Sequence, residues 1–203
     1  MGKRLVHFHQ LGVATLSLSA HKFHGPKGIG ALLVRRGFHL HPQLWGGHQQ
    51  RGRRPGTEPV ALAVGLAAAL EIAHRELEPR YEHVQSLRRR FLDRLYTSTE
   101  PILLNGPHTG GLPHTLNLSF PGLRADAFLM ALDLAGVACS TGSACSSGSL
   151  LPSPVLQAMG VPEAALHSAM RFSLSPLLTN EEIDEAARRI ATVAARLRKC
   201  DPE

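Results

Sequence analysis

One long stretch of helix-spaced apolar residues runs from about residue 57 to residue 95, and short, strand-like runs closed by glycine or proline occur on either side. Such punctuation leaves few folds open. A strand-length run buries one face only against another layer, and helix-length runs between strands supply that layer, so the chain reads as α/β. Residues 12–19 (GVATLSLS) and 28–35 (GIGALLVR) are apolar and separated by a Gly/Pro loop, which predicts strand, loop, strand. Residues 36–56 set Arg36, Arg51, Arg53 and Arg54 among glycines and prolines without periodicity, the texture of an ordered functional loop. Thr57, followed by Glu58 and Pro59, is the expected N-cap of the long helix, and Val60, Val64, Leu66, Leu70 and Ile72 follow at roughly helical spacing. Pro79 kinks or divides that helix before the pattern resumes through Val84, Leu87, Phe91 and Leu95.

Beyond residue 100 the texture changes. Strands are expected at 102–104 and 115–120, a helix at 125–134 and a brief strand at 137–140. Short helices follow near 154–159 and 163–168, then a strand at 170–174. An amphipathic helix from residue 179 to about 199 closes the chain, with Thr179 and Glu182 in the spacing of a capping box. The boundary between the long helix and the strand-rich half divides the chain into residues 1–97 and 98–203.

Composition removes several function classes. The 22 basic and 16 acidic residues leave a net charge of +6, spread along the chain with little aromatic interleaving, which speaks against a nucleic-acid module. Three cysteines (Cys139, Cys145, Cys200) without CxxC spacing argue against a disulfide framework or structural zinc, and for a reducing compartment such as the cytoplasm. No apolar run reaches the ~20 residues of a membrane span. The start imitates a secretion signal, but His7, His9 and Gln10 interrupt it, and Ser and Thr dilute its apolar centre. His39 and His41 come nearest to a metal pair, yet no carboxylates stand beside them, so no metal is expected.

Two loops carry chemistry. Lys22 lies in SAHKFHGPKG directly after a strand-like run, where an amine can be held in place to condense with an aldehyde; its alternative is a surface lysine in a turn. Cys145 lies in STGSACSSGS, a small-residue loop unsuited to core packing, which suits a thiolate that travels; the alternative is a loop filler. GPKGIG imitates a phosphate loop but precedes a strand and lacks the Walker spacing, and Lys27 within it reads as structural. Arg171 opens RFSLS, where a guanidinium can grip a carboxylate with two parallel hydrogen bonds or make a surface ion pair.

Four segments, SAHKFHGPKGIGALLVR (19–35), GGHQQRGRRPGTEPV (46–60), STGSACSSGS (140–149) and RFSLS…TNEEID (171–184), occur in an order and at separations that resemble the cysteine desulfurases of the class V aminotransferases. The resemblance covers essentially all 203 residues, but corresponds to the C-terminal half of a family member. It implies a pyridoxal-phosphate-dependent transferase of fold type I, with part of the large domain (1–97) and a small C-terminal α/β domain (98–203). By the same resemblance Lys22 is the Schiff-base lysine and general acid/base, and Ser19 and His21 bind the phosphate of pyridoxal 5'-phosphate. Thr57 reaches the partner subunit's cofactor in a homodimer, Arg171 holds the carboxylate of L-cysteine, and Cys145 receives the sulfur as a persulfide for an acceptor or scaffold protein. The ring-stacking residue, the aspartate facing the pyridine nitrogen and a phosphate loop would belong to the other half. Departures from the family pattern are Gln50 in place of an acidic residue, Pro59 after GTE, and Pro176 to Thr179 after RFSLS. A selenocysteine lyase shares the architecture, and a remnant or split-gene half acting through a partner is the reading from another class.

Overall fold

The computed structural model describes residues 1–141 and 153–200, which divide into two compact units, Met1–Arg80 and Tyr81–Glu203. The α/β architecture expected from the sequence is present.

In the first unit β1 (Thr15–Ser19) pairs antiparallel with β2 (Gly30–Val34), from Thr15 opposite Val34 to Ser19 opposite Gly30. The connection opens with a 3-10 turn, Ala20–Phe23, ended by His24 at φ 69°. Two glycines make this hairpin compact. A Cβ on Gly30 would stand 2.5 Å from the Leu18 carbonyl oxygen, and one on Gly25 would stand 2.9 Å from the Ala20 Cβ. Backbone bonds from Gly25 N to Ala20 O and from Ala20 N to Ile29 O lock the turn. Helix α1 (Val60–Arg75) packs Ala73 with Ala20 and Phe23, and Met1, Leu18, Ile29, Leu66, Ala69 and Leu70 complete this small cluster. Pro59 occupies the N-cap position of α1 and no side chain caps it. Thr57 therefore lies outside the helix, and its expected capping role is not realised, because the helix begins three residues later.

Helix α2 (Leu77–Ser98) starts just after α1 ends, with Pro79 in its first turn, where a missing N–H leaves no intrahelical bond unmade. From Tyr81 onward α2 belongs to the second unit and buries Val84, Leu87, Phe91 and Leu95 at intervals of three and four. The units thus part at Arg80–Tyr81, upstream of the 97–98 division drawn from the sequence. The physical reason is that the apolar stripe of α2 faces the second core.

That core surrounds an antiparallel sheet of order β3 (Leu103–Leu104), β4 (Thr115–Ser119), β5 (Ala169–Ser173). Leu116, Leu118, Met170 and Phe172 alternate onto its buried face and meet Phe91, Phe120 and Phe128, with α3 (Ala125–Leu134) and α6 (Asn180–Cys200) packed alongside. Short helices α4 (Pro154–Ala158) and α5 (Glu163–Leu166) lead into β5. The brief strand expected at 137–140 reduces to one bridge, Ser140 opposite Arg171. The capping box of α6 forms as expected: Thr179 N–H donates to Glu182 Oε2 at 2.8 Å, and Glu182 N–H donates to Thr179 Oγ1 at 3.2 Å. Among the described residues no helix is long and apolar enough to cross a membrane.

Candidate active site

The β1–β2 hairpin determines where Lys22 goes. Ser19 ends β1 and Lys22 lies three residues on, within the 3-10 turn whose buried members Ala20 and Phe23 pin it to the small core. Phe23 and Lys22 share the wall of a cleft of about 330 Å³, lined also by Met1, Val6, Leu16, Ser17, Leu18 and Ser19. Its lining residues thus include one lysine and two serines, and the others are apolar. Lys3, between Met1 and Val6 in the chain, is held below the usual lysine range, first by burial and then by the positive charge of Lys22. Two ammonium groups close enough to repel make the neighbourhood receptive to an anion.

Sequence reasoning missed Lys3. Its signal is spatial, since nothing in the residues around it announces proximity to Lys22. His21 is exposed on the same turn, and Thr57 is exposed in the segment leading to α1. The structure therefore brings Ser19, His21 and Lys22 together on one turn, and places Thr57 in the same unit beyond the arginine-bearing loop. In that loop Gln50 and Arg51 adopt φ of 48° and 59°, rare for residues with a side chain. The Gln49 side-chain oxygen accepts from Gly56 N–H at 3.2 Å and bridges the last part of that loop.

Arg171 sits in β5 of the second unit. Its backbone N–H donates to the Ser140 carbonyl, and its carbonyl accepts from Ser140 N–H at 3.1 Å. The root of the cysteine-bearing segment is thereby stitched to the strand that carries the arginine. Arg171 Nε is buried without a hydrogen-bond partner among the described residues. A buried cationic donor left unpaired is costly, so this guanidinium stands ready for an acceptor. Cys139, just before Ser140, is half-buried against the core, and burial with the nearby Asp133 charge pushes its thiol up to about 11. Cys145 lies outside the described residues. Among the described residues no group of three or more His, Cys, Asp or Glu is placed to hold a metal ion.

The family model Aminotransferase class-V matches residues 1–186. A cysteine desulfurase of Klebsiella pneumoniae is 44% identical over 202 residues, covering 100% of this chain and 51% of that protein. The cysteine desulfurase NifS of Azotobacter vinelandii is 41% identical over 202 residues, and again 50% of its length is covered. Among solved structures, a NifS-like protein superposes with a TM-score of 0.85 at 35% identity, over 96% of this chain and 50% of that one. A NifS-like protein from Rickettsia africae gives a TM-score of 0.83 at 26% identity. The chain thus spans about half the length of the relatives it matches, and it belongs to the class V aminotransferase family.

Proposed function

We propose that this chain is the part of a pyridoxal-phosphate-dependent cysteine desulfurase that carries the cofactor lysine, the substrate-carboxylate arginine and the sulfur-accepting cysteine. The observation that carries the reading is the cleft beside the β1–β2 turn, which Lys22 lines together with Ser17, Ser19 and the apolar Leu16, Leu18 and Phe23, with the charge of Lys3 near that of Lys22. These groups fit a phosphate-bearing aromatic aldehyde: the Lys22 amine would condense with the carbonyl, the Lys22 and Lys3 charges would favour the phosphate, and Phe23 would suit the ring. The likeness of nearly the whole chain to proteins named cysteine desulfurase supports the same conclusion.

When bound, pyridoxal phosphate supplies an electron sink that stabilises negative charge developing on the substrate. Ser19 and His21 would hold its phosphate, and Thr57 would reach the phosphate in the second subunit of a homodimer. Arg171 holds the α-carboxylate of L-cysteine, which uses its unpaired Nε. Lys22 Nζ takes and returns the substrate proton as general base and acid. The Cys145 thiolate attacks the sulfur of L-cysteine; the carbon–sulfur bond breaks, its electron pair stays on carbon and is protonated. L-Alanine and a Cys145 persulfide result, and the persulfide passes its sulfur to an acceptor protein. The remaining contacts to the ring belong to the half of the relatives' length that this chain does not span.

Borohydride treatment of the protein with pyridoxal phosphate tests the reading. It is expected to fix the cofactor to the peptide containing Lys22, and Lys22→Ala is expected to abolish that label. Alanine and persulfide formation from L-cysteine, compared with L-selenocysteine, then identifies the preferred substrate. Label that persists in Lys22→Ala, or falls elsewhere in the chain, overturns the assignment.

A further inference from the structure

We propose that Asn117 is a specificity-determining residue of the Arg171 site, its carboxamide standing beside the guanidinium and donating to the same substrate carboxylate. This rests on the reading of Arg171 given above and adds a residue to it.

Register supplies the first argument. Asn117 of β4 lies directly opposite Arg171 of β5, and opposed residues project from the same face of a sheet. The backbone N–H and carbonyl of Arg171 are both spent on Ser140, on the far side of β5. Arg171 therefore exchanges no backbone bonds with Asn117. The two form the close, non-hydrogen-bonded kind of pair, in which Cα atoms approach to about 4.5 Å and side chains come nearest. Their neighbours Leu116, Leu118, Met170 and Phe172 take the opposite, fully apolar face, whereas Asn117 and Arg171 are half-buried.

Hydrogen bonding supplies the second. Asn105 Nδ2 donates to Asn117 Oδ1 at 2.7 Å and to Ser119 Oγ at 2.7 Å, and Ser119 Oγ donates to the Ala165 carbonyl at 2.7 Å. This chain of bonds, rooted in α5, fixes which way the Asn117 carboxamide points, because the reverse orientation would set two NH2 groups against each other. Its oxygen is occupied by Asn105. Its Nδ2 has no acceptor among the described residues, and neither has the buried Nε of Arg171. A cationic and a neutral donor, adjacent and with no acceptor recorded among the described residues, suit a carboxylate. An acidic residue at 117 would instead pair with Arg171 and fill the site.

The test is a titration of the isotope-labelled full chain with L-alanine, following the side-chain signals of Arg171 Nε–H and Asn117 Nδ2–H2 by NMR, with L-alaninol as the control lacking a carboxylate. Both signals are expected to shift together with one apparent Kd, and alaninol is expected to move neither. Asn117→Leu is expected to weaken binding by about tenfold to a hundredfold, the loss of one hydrogen bond to a charged group. Asn117→Asp is expected to shift the Arg171 signal before any ligand is added and to abolish the response to alanine. If Arg171 responds while Asn117 stays still and both variants keep the original Kd, the role of Asn117 is overturned and that of Arg171 stands. No response at either residue overturns both.

Discussion

Cys139 and Cys145 stand six positions apart in the chain, and different chemistry is proposed for each. Cys139 packs against the second core, and its thiol is pushed up to about 11 by burial and by the Asp133 charge. At pH about 8 it is therefore almost wholly protonated and a poor nucleophile. Cys145, on its run of small residues, is proposed to react as a thiolate. Brief treatment of the folded protein with iodoacetamide near pH 8 is thus expected to alkylate Cys145 and spare Cys139, while denaturant exposes both; peptide mapping reads the result. Equal labelling in the folded state would remove the distinction on which the sulfur-transfer role leans. Lys22 and Arg171 stand out in the sequence because each lies inside a recognisable segment, Lys22 just after β1 and Arg171 within β5. Lys3 and Asn117 were not, since their relevance arises from a fold-back and a strand register that no local pattern encodes.

Between elements, the joint of α2 with α6 decides how firmly the second unit holds together. Arg90 and Arg94 both grip Asp184, with Arg90 Nη2 at 2.6 Å and Arg94 Nε at 3.0 Å, and these bonds hold the carboxyl well below the usual carboxylate range. A folded-state pKa below the unfolded one adds stability that is complete above the ordinary value of 3.8 and withdraws as pH falls past it. The urea midpoint is therefore expected to drop between about pH 5 and pH 3, and less steeply in Asp184→Asn. An unchanged slope in that variant would assign the acid sensitivity to other carboxylates, such as Glu185, which Arg188 and Arg189 hold at about 2. Phe91 of α2 packs into the second core instead, 2% exposed and edge-on to Phe172 of β5 at 5.4 Å between ring centres. Phe91→Ala should cost about 3–5 kcal/mol in denaturant unfolding. The sequence displayed this element well: the stripe through Val84, Leu87, Phe91 and Leu95 was readable as a period, as was the capping box of Thr179. It was misread where chemistry and geometry diverge. Thr57 has the side chain of a cap but lies three residues outside α1, and Pro79 signals a division that the structure places just before it.

At the scale of the whole molecule, the two units differ in how much apolar surface they bury. The second surrounds its three-stranded sheet with a core that includes three phenylalanines of 0–2% exposure, Phe91, Phe120 and Phe128. In the first only Ala20, Phe23 and Ala73 are buried hydrophobics, while Val60 and Val64 on α1 are 67% and 64% exposed and Leu32 on β2 is 52% exposed. A two-stranded sheet with so small a core is marginal in water. The apolar residues along α1 were visible in the sequence; that so many of them stay uncovered was not, because a helical period does not say what packs against it. Local opening should accordingly be far easier in the first unit. Hydrogen exchange of the 203-residue chain is expected to leave amides of Leu116, Leu118, Met170 and Ile190 protected at least about a hundredfold longer than those of Leu16, Leu18 and Leu32. Adding a polypeptide equivalent to the other half of a class V aminotransferase is expected to slow exchange in β1 and β2 and leave β4 and β5 unchanged. Equal protection of both units in the chain alone would mean that the Lys22 hairpin holds its shape unaided, and that the lysine's cleft needs no further chain to stay formed.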